Sequence, residues 1–183
     1  MKAIQISEFG GPDVMKYVDL ADPVAANDEV VLDVTAVGIN YADTHQTENS
    51  YLSPQTLPMI PGIEVVGTHD GKRYLASVSS GGYAQKAVAH KSVLFPIPDA
   101  VTDQQALCML VQGATAWHLL KTMGNIQKGQ SVVVHAAAGG VGTIAIQLAK
   151  MWGGKVIAVT STDSKSALAT SLGADVVVDA KSS

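Results

Sequence analysis

Hydrophobic residues in the first hundred positions fall in short runs separated by glycine, proline and polar turns. Residues 1–6 alternate weakly and predict a strand. Gly10-Gly11-Pro12-Asp13 is a turn, and residues 14–20 predict a second strand ended by Asp22-Pro23. Residues 29–40 form a longer run rich in β-branched side chains, a stronger strand signal. Residues 41–61 are polar and carry Pro54, Pro58 and Pro61, which predicts a long loop with one helical turn after Tyr41. Residues 62–68, 73–78, 83–89 and 93–96 read as four more short strands. Regular short strands of this kind predict an all-β barrel or meander.

The period changes near Thr102. Thr102 and Gln105 have the spacing of a capping box, and Ala106, Leu107, Met109 and Leu110 supply an apolar helix face. On this pattern Cys108 is a buried, inert thiol on that face. Gly113 interrupts, and residues 114–123 predict a second helix ended by Gly124-Asn125. Residues 131–136 are a continuous apolar run, as expected of a strand covered on both faces. Ala137-Ala138-Gly139-Gly140-Val141-Gly142 follows, then a helix rich in Ile, Leu and Ala. Residues 155–160 and 175–179 predict two more buried strands, with a helix over 163–172 closed by Gly173 between them. Strand, helix, strand, helix, strand is one mononucleotide-binding half of a doubly wound sheet. The first strand, over 132–135, is left as an edge that another chain could cover, so association of like copies is an expectation.

A glycine turn between strand and helix brings bare backbone N–H groups against a pyrophosphate. Here the first glycine position holds Ala137, so the match is partial, and a turn without a ligand stays an alternative. The context of strand before and helix after supports the nucleotide reading.

Bulk properties narrow the classes. The 183 residues are 47% hydrophobic and 15% charged, a globular composition. Sixteen acidic residues outnumber twelve basic ones, for a net charge of −4, so no basic footprint for nucleic acid is present. No apolar run has the length of a membrane span, and the N-terminus lacks a signal-peptide core. A cytoplasmic location is the expectation. With Cys108 the only cysteine, neither an intrachain disulfide nor a cysteine-rich zinc lobe forms. The five histidines show no i, i+4 pair. No metal site is expected.

Five segments together resemble the medium-chain dehydrogenase/reductase superfamily, and more narrowly its zinc-independent quinone oxidoreductases, the zeta-crystallin-like group. They are residues 37–44, Pro61-Gly62-Ile63-Glu64, Gly81-Gly82-Tyr83-Ala84-Gln85, Gln112-Gly113-Ala114-Thr115-Ala116 and residues 135–142. The resemblance runs the whole chain and implies an N-terminal GroES-like β domain, residues 1–115, followed by an incomplete Rossmann domain of three strands (βαβαβ), residues 116–183. Family members continue through the second half of that sheet. The chain is therefore expected to be a fragment, a truncated product or a short form. A short turn at His69-Asp70-Gly71-Lys72 replaces a longer family hairpin.

The chemistry implied is reduction without zinc. Zinc-dependent relatives place a cysteine near Asn40 and Gly-His-Glu where this chain has Gly62-Ile63-Glu64. Isoleucine cannot ligate, and asparagine is a poor zinc ligand. By resemblance, Asn40, Tyr41, Asp43 and Thr44 touch the nicotinamide ribose and line the reaction cleft. Asn40 and Tyr41 would donate hydrogen bonds to an acceptor oxygen as charge builds on it. Asn40-Tyr41 as a mere strand-ending turn is the other reading. Tyr51 falls near another tyrosine of the family pocket, and His45 stands where these relatives often have tyrosine. Thr115 lies where the family approaches the nicotinamide, and Trp117 is a packing residue. Ala138, Gly139, Gly140, Val141 and Gly142 cradle the pyrophosphate.

The position about 20 residues on, which is acidic in NAD-binding proteins, holds Thr160. Ser161, Thr162 and Lys165 offer hydroxyls and a positive charge, so the cofactor expected is NADPH, its 2′-phosphate held by these three. A solvated Lys165, with Asp163 capping the helix, is the competing reading. The substrate expected is a small quinone or enone. A non-catalytic NADP-binding or interaction fragment, and alcohol or aldehyde dehydrogenase activity, are the alternatives.

Overall fold

The structure, a computed structural model, describes residues 1–50 and 54–181. Tyr51 lies outside the described residues. The chain divides into two compact units, Met1–Leu110 and Val111–Ser183.

The first unit is antiparallel. Strands β1 (Lys2–Gln5) and β2 (Lys16–Asp19) form a hairpin. Strands β3 (Glu29–Val37), β4 (Glu64–His69), β5 (Lys72–Ser77), β6 (Lys86–His90) and β7 (Leu94–Pro96) form a sheet in the order β6-β3-β4-β5-β7. Side chains alternate across a strand. Val30 and Leu32 of β3 thus join Val65, Ala76, Ala87 and Ala89 in one core cluster. Val66 and Leu75 point to the opposite face and meet Ala106 of helix α2 (Asp103–Cys108). Burial on both faces accounts for the adjacent valines of β4, Val65 facing one cluster and Val66 the other.

Thr102 caps α2 as its spacing predicts: its Oγ1 accepts from Gln105 N at 3.2 Å, and Gln105 Oε1 accepts from Thr102 N at 3.0 Å. Asp103 anchors the same end, its Oδ1 accepting from Arg73 at 2.6 Å and its Oδ2 from Thr35 at 2.6 Å. Those bonds hold the Asp103 carboxyl below the usual range, the Thr35 hydroxyl first and the Arg73 guanidinium after it. Cys108 is exposed, contrary to expectation. The inward residue of α2 is Ala106, and two further positions carry the chain to the other side of a helix.

Residues 41–61 hold more structure than a loop. Tyr41–Thr47 is a helix, α1, of two turns rather than one. Its first turn is closed by the Asp43 carboxylate, whose Oδ2 accepts from Asn40 N at 2.8 Å.

The second unit has a parallel sheet in the order β10-β9-β8, from β8 (Ser131–Val134), β9 (Lys155–Thr160) and β10 (Val176–Asp179). Helix α3 (Ala114–Trp117), continued by the π-helical segment His118–Met123, precedes β8. Gly113 does not break it: its φ and ψ are −66° and −48°, within the helical region. Helices α4 (Gly140–Met151) and α5 (Asp163–Ser171) connect the strands. Val134, Val156 and Ala158 pack with Ala145, Ile146, Ala149 and Ala169 from these helices.

The outer strands are not covered on both faces, contrary to what their sequences suggest. Val133 and Val176 both pair in register with Ile157, and each is 52% exposed. Both helices pack on the opposite face, which leaves this one bare among the described residues. Strand β8 is the edge, as expected, and an apolar cleft of about 560 Å³ runs along it past Leu119 and Val133 to the glycine turn.

The candidate functional site

In the second unit, the strands β8 and β9 end at a cleft of about 360 Å³. Residues 135–139 form one wall, and Val159, Thr160, Ser161 and Lys165 another. Ala136 takes a left-handed φ of 47°, which turns the chain out of β8. Gly139 N then donates to Ala136 O at 2.8 Å, and Ala137 N to Val159 O at 3.1 Å, closing the turn onto the neighbouring strand. Ala137 is fully buried, so its methyl faces the core and leaves the cleft free. That is why alanine serves at the first glycine position.

Helix α4 starts at Gly140 with no side-chain cap. The first N–H groups of a helix have no carbonyl within it to bond, and they carry the positive end of its dipole. Gly142 is held by close approach. A methyl there would lie 2.5 Å from Ala136 O and 2.7 Å from Ala137 Cα, both backbone atoms.

At the end of β9, Thr160 is only 4% exposed, and its hydroxyl is 2.7 Å from that of Ser166. The position that carries an acid in NAD-binding proteins thus points inward here. Ser161 and Lys165 line the cleft and lie together, Lys165 Nζ donating to Ser161 Oγ at 3.5 Å. Thr162 is the cap of α5, its Oγ1 accepting from Lys165 N at 3.4 Å. The cap is not Asp163, which occupies the first turn instead. Thr115 is exposed, and its hydroxyl donates to Val111 O at 2.6 Å. Trp117 packs edge-on to Trp152 with ring centres 5.0 Å apart.

In the first unit, the candidate residues cluster at the start of α1. Asn40 is 8% exposed, and its amide donates to Glu64 Oε1 at 2.8 Å. One of its two amide hydrogens is therefore committed to a buried carboxylate. Asp43 is 3% exposed and faces inward, where its Oδ2 accepts from Tyr83 OH at 2.7 Å as well as from Asn40 N. Its Oδ1 is buried without a hydrogen-bond partner among the described residues. Burial first, and the Asp43 carboxylate second, push the Tyr83 phenol above its ordinary pKa.

Tyr41 is 81% exposed, and His45 sits edge-on to it at 5.1 Å. The Thr44 hydroxyl donates to Tyr41 O at 2.7 Å, and His45 Nδ1 is 2.9 Å from Ser50 Oγ. Sequence reasoning misses Glu64 and Tyr83 as site residues. They stand 24 and 40 residues from their partners, and no local spacing announces such bonds. Among the described residues no group of three His, Cys, Asp or Glu side chains is placed to hold a metal ion.

Comparison with known proteins bears on the family and the fold. Residues 26–99 match the family described as alcohol dehydrogenase GroES-like domain, and residues 140–183 the family described as zinc-binding dehydrogenase. The quinone oxidoreductase of Homo sapiens is 32% identical over 176 residues, which cover 89% of this chain and 54% of that protein. The quinone oxidoreductase of Thermus thermophilus, solved alone and with NADPH, superposes with a TM-score of 0.91 at 40% identity, covering 98% of this chain and 60% of that one. The Escherichia coli quinone oxidoreductase, solved with NADPH, gives a TM-score of 0.92 at 30% identity, covering 100% of this chain and 60% of that one. The chain thus spans little more than half the length of these relatives. With a GroES-like β unit, a parallel βαβαβ unit and both family matches in that order, the chain belongs to the medium-chain dehydrogenase/reductase superfamily.

Proposed function

We propose that the second unit binds NADPH and that the chain carries part of the machinery of a zinc-independent reductase of quinones or activated alkenes. The observation that carries the reading is the cleft at the end of β9, where Ser161 and Lys165 meet and the usual acid is replaced by an inward-facing Thr160. A carboxylate there would accept from a ribose 2′-OH and repel a 2′-phosphate. A lysine with a hydroxyl beside it favours the phosphate.

The start of α4 meets the pyrophosphate with N–H groups, with glycine at 139, 140 and 142 letting the backbone approach closely. When bound, NADPH supplies the hydride. Tyr41, the exposed donor at the start of α1, and the remaining amide hydrogen of Asn40 orient the acceptor oxygen and stabilise charge developing on it. Asp43 acts from behind. It holds Asn40 N and Tyr83 OH, and so fixes where α1 begins rather than meeting the ligand itself.

A metal-free reaction is supported by the side chains present. Ile63 has no donor atom, and the Asn40 amide nitrogen is turned to Glu64. Polarisation of the acceptor then falls to hydrogen bonds rather than to a Lewis acid. A second reading, nucleotide binding without turnover, is favoured by that same bond, which spends one of the two Asn40 donors inside the protein.

Steady-state oxidation of NADPH with a small quinone, compared with an enal and a saturated aldehyde, separates them. Turnover with the quinone or enal supports the reductase. Tight NADPH binding with no turnover supports the binding unit. Turnover with the saturated aldehyde alone overturns the assignment of substrate class.

A further inference from the structure

Gly139, Gly140 and Gly142 are three glycines of one turn, but they are not glycine for one reason. At Gly142 an added methyl meets backbone. At Gly140 it meets a side chain. A Cβ there would lie 2.6 Å from Gln112 Cδ, 2.7 Å from Oε1 and 2.8 Å from Nε2, with no backbone atom among these nearest neighbours. The whole Gln112 carboxamide therefore rests on the bare Cα of the first residue of α4.

Gln112 belongs to the same compact unit as the turn and is half-buried. Its carboxamide makes no hydrogen bond among the described residues. An amide held against a helix start by contact alone, with two N–H groups unspent, is arranged as a donor for whatever anion that helix end receives.

We infer that Gln112 is a further cofactor-contacting residue, donating to the phosphate group held at the start of α4, and that position 140 is glycine to leave room for it. The inference rests on the NADPH reading above. It also makes a distinction that a general phosphate cradle does not. An alanine at position 140 displaces a flexible side-chain end and leaves the backbone in place. The damage at Gly140 should therefore pass through Gln112.

The test is a double-mutant cycle on NADPH affinity, read by the fluorescence of the bound nucleotide, with circular dichroism to confirm each fold. Gln112→Ala should weaken binding about tenfold, the loss of one hydrogen bond to a charged group. Gln112→Met, which keeps the length and loses the donors, should weaken it equally. Gly140→Ala should weaken it by a similar factor, and the Gln112→Ala/Gly140→Ala protein should bind no more weakly than either single variant.

Single effects that multiply in the double variant, or a Gln112→Met protein that binds like the unmutated chain, would overturn the inference. A second readout needs no ligand: the side-chain amide resonances of Gln112 should shift in Gly140→Ala, and an unchanged position would contradict the contact. Failure of the unmutated chain to bind NADPH would overturn the nucleotide reading and the inference with it. Binding by the unmutated chain that no Gln112 variant alters would overturn the inference alone.

Discussion

The two units build their sites in opposite ways. The first fills the space behind α1 with side chains: Asn40, Asp43, Glu64 and Tyr83, joined by bonds of 2.7–2.8 Å and largely buried. The second starts α4 on Gly139, Gly140 and Gly142 with no side-chain cap, so the backbone there carries few side chains of its own. The difference follows from the partner each is read as serving. A pyrophosphate is best met by rigid backbone dipoles at close range. An acceptor oxygen needs one or two donors held at a fixed angle, and only a packed network holds a side chain so.

If this contrast is right, the largest lesion in the second unit comes from adding atoms. Gly142→Val forces a branched side chain against Ala136 O and Ala137 Cα. It should cost about 3 kcal/mol of stability and abolish NADPH binding, as urea unfolding and nucleotide titration would show. A stable Gly142→Val protein would break the comparison on that side.

In the first unit the largest lesion comes from removing atoms. Asp43→Ala leaves Tyr83 OH and Asn40 N without their acceptor, at a cost of about 2 kcal/mol by the same unfolding assay. Tyr83→Phe removes one bond and should cost about 1 kcal/mol at neutral pH. It also has a pH signature. The folded-state pKa of Tyr83 lies above its ordinary 10.0, so above that pH the unfolded chain loses a proton that the native chain keeps. The stability held by this shift is fully present below pH 10 and declines as the pH rises. Tyr83→Phe should therefore lose less stability than the unmutated chain between pH 9 and about 11, measured by thermal melts.

The smallest effect is a reference for both units. Thr102→Ala deletes a cap shared with Gln105, neither of them a candidate site residue, and should cost about 1 kcal/mol or less, with NADPH affinity unchanged.

Legibility in the sequence divides along the same line. The glycine turn, the α2 cap and the bounds of β9 are readable because each is set by neighbours within a few residues. For Lys155–Thr160 the apolar run and the strand coincide to the residue. The Asp43–Tyr83 and Asn40–Glu64 bonds are not readable, since they join residues that only the folded sheet brings together. Local pattern also misjudges coverage. The apolar runs of β8 and β10 read as buried on both faces, yet Val133 and Val176 point to a face that no described helix covers. Apolar composition reports what a strand favours, and only the packing around it determines what is hidden. Gly113 reads as a break because glycine weakens helices. The surrounding turns hold it helical at a cost of about 1 kcal/mol relative to alanine.

On the reading proposed above, the cleft where β8 and β9 end recognises a 2′-phosphate through Lys165 and Ser161. The most direct measurement is the affinity of the chain for NADPH and NADH, before and after Lys165→Ala. NADPH should bind at least about tenfold more tightly than NADH, and Lys165→Ala should remove most of that preference while leaving NADH affinity as it was. Equal affinity for the two nucleotides, or a preference that survives Lys165→Ala intact, would contradict it.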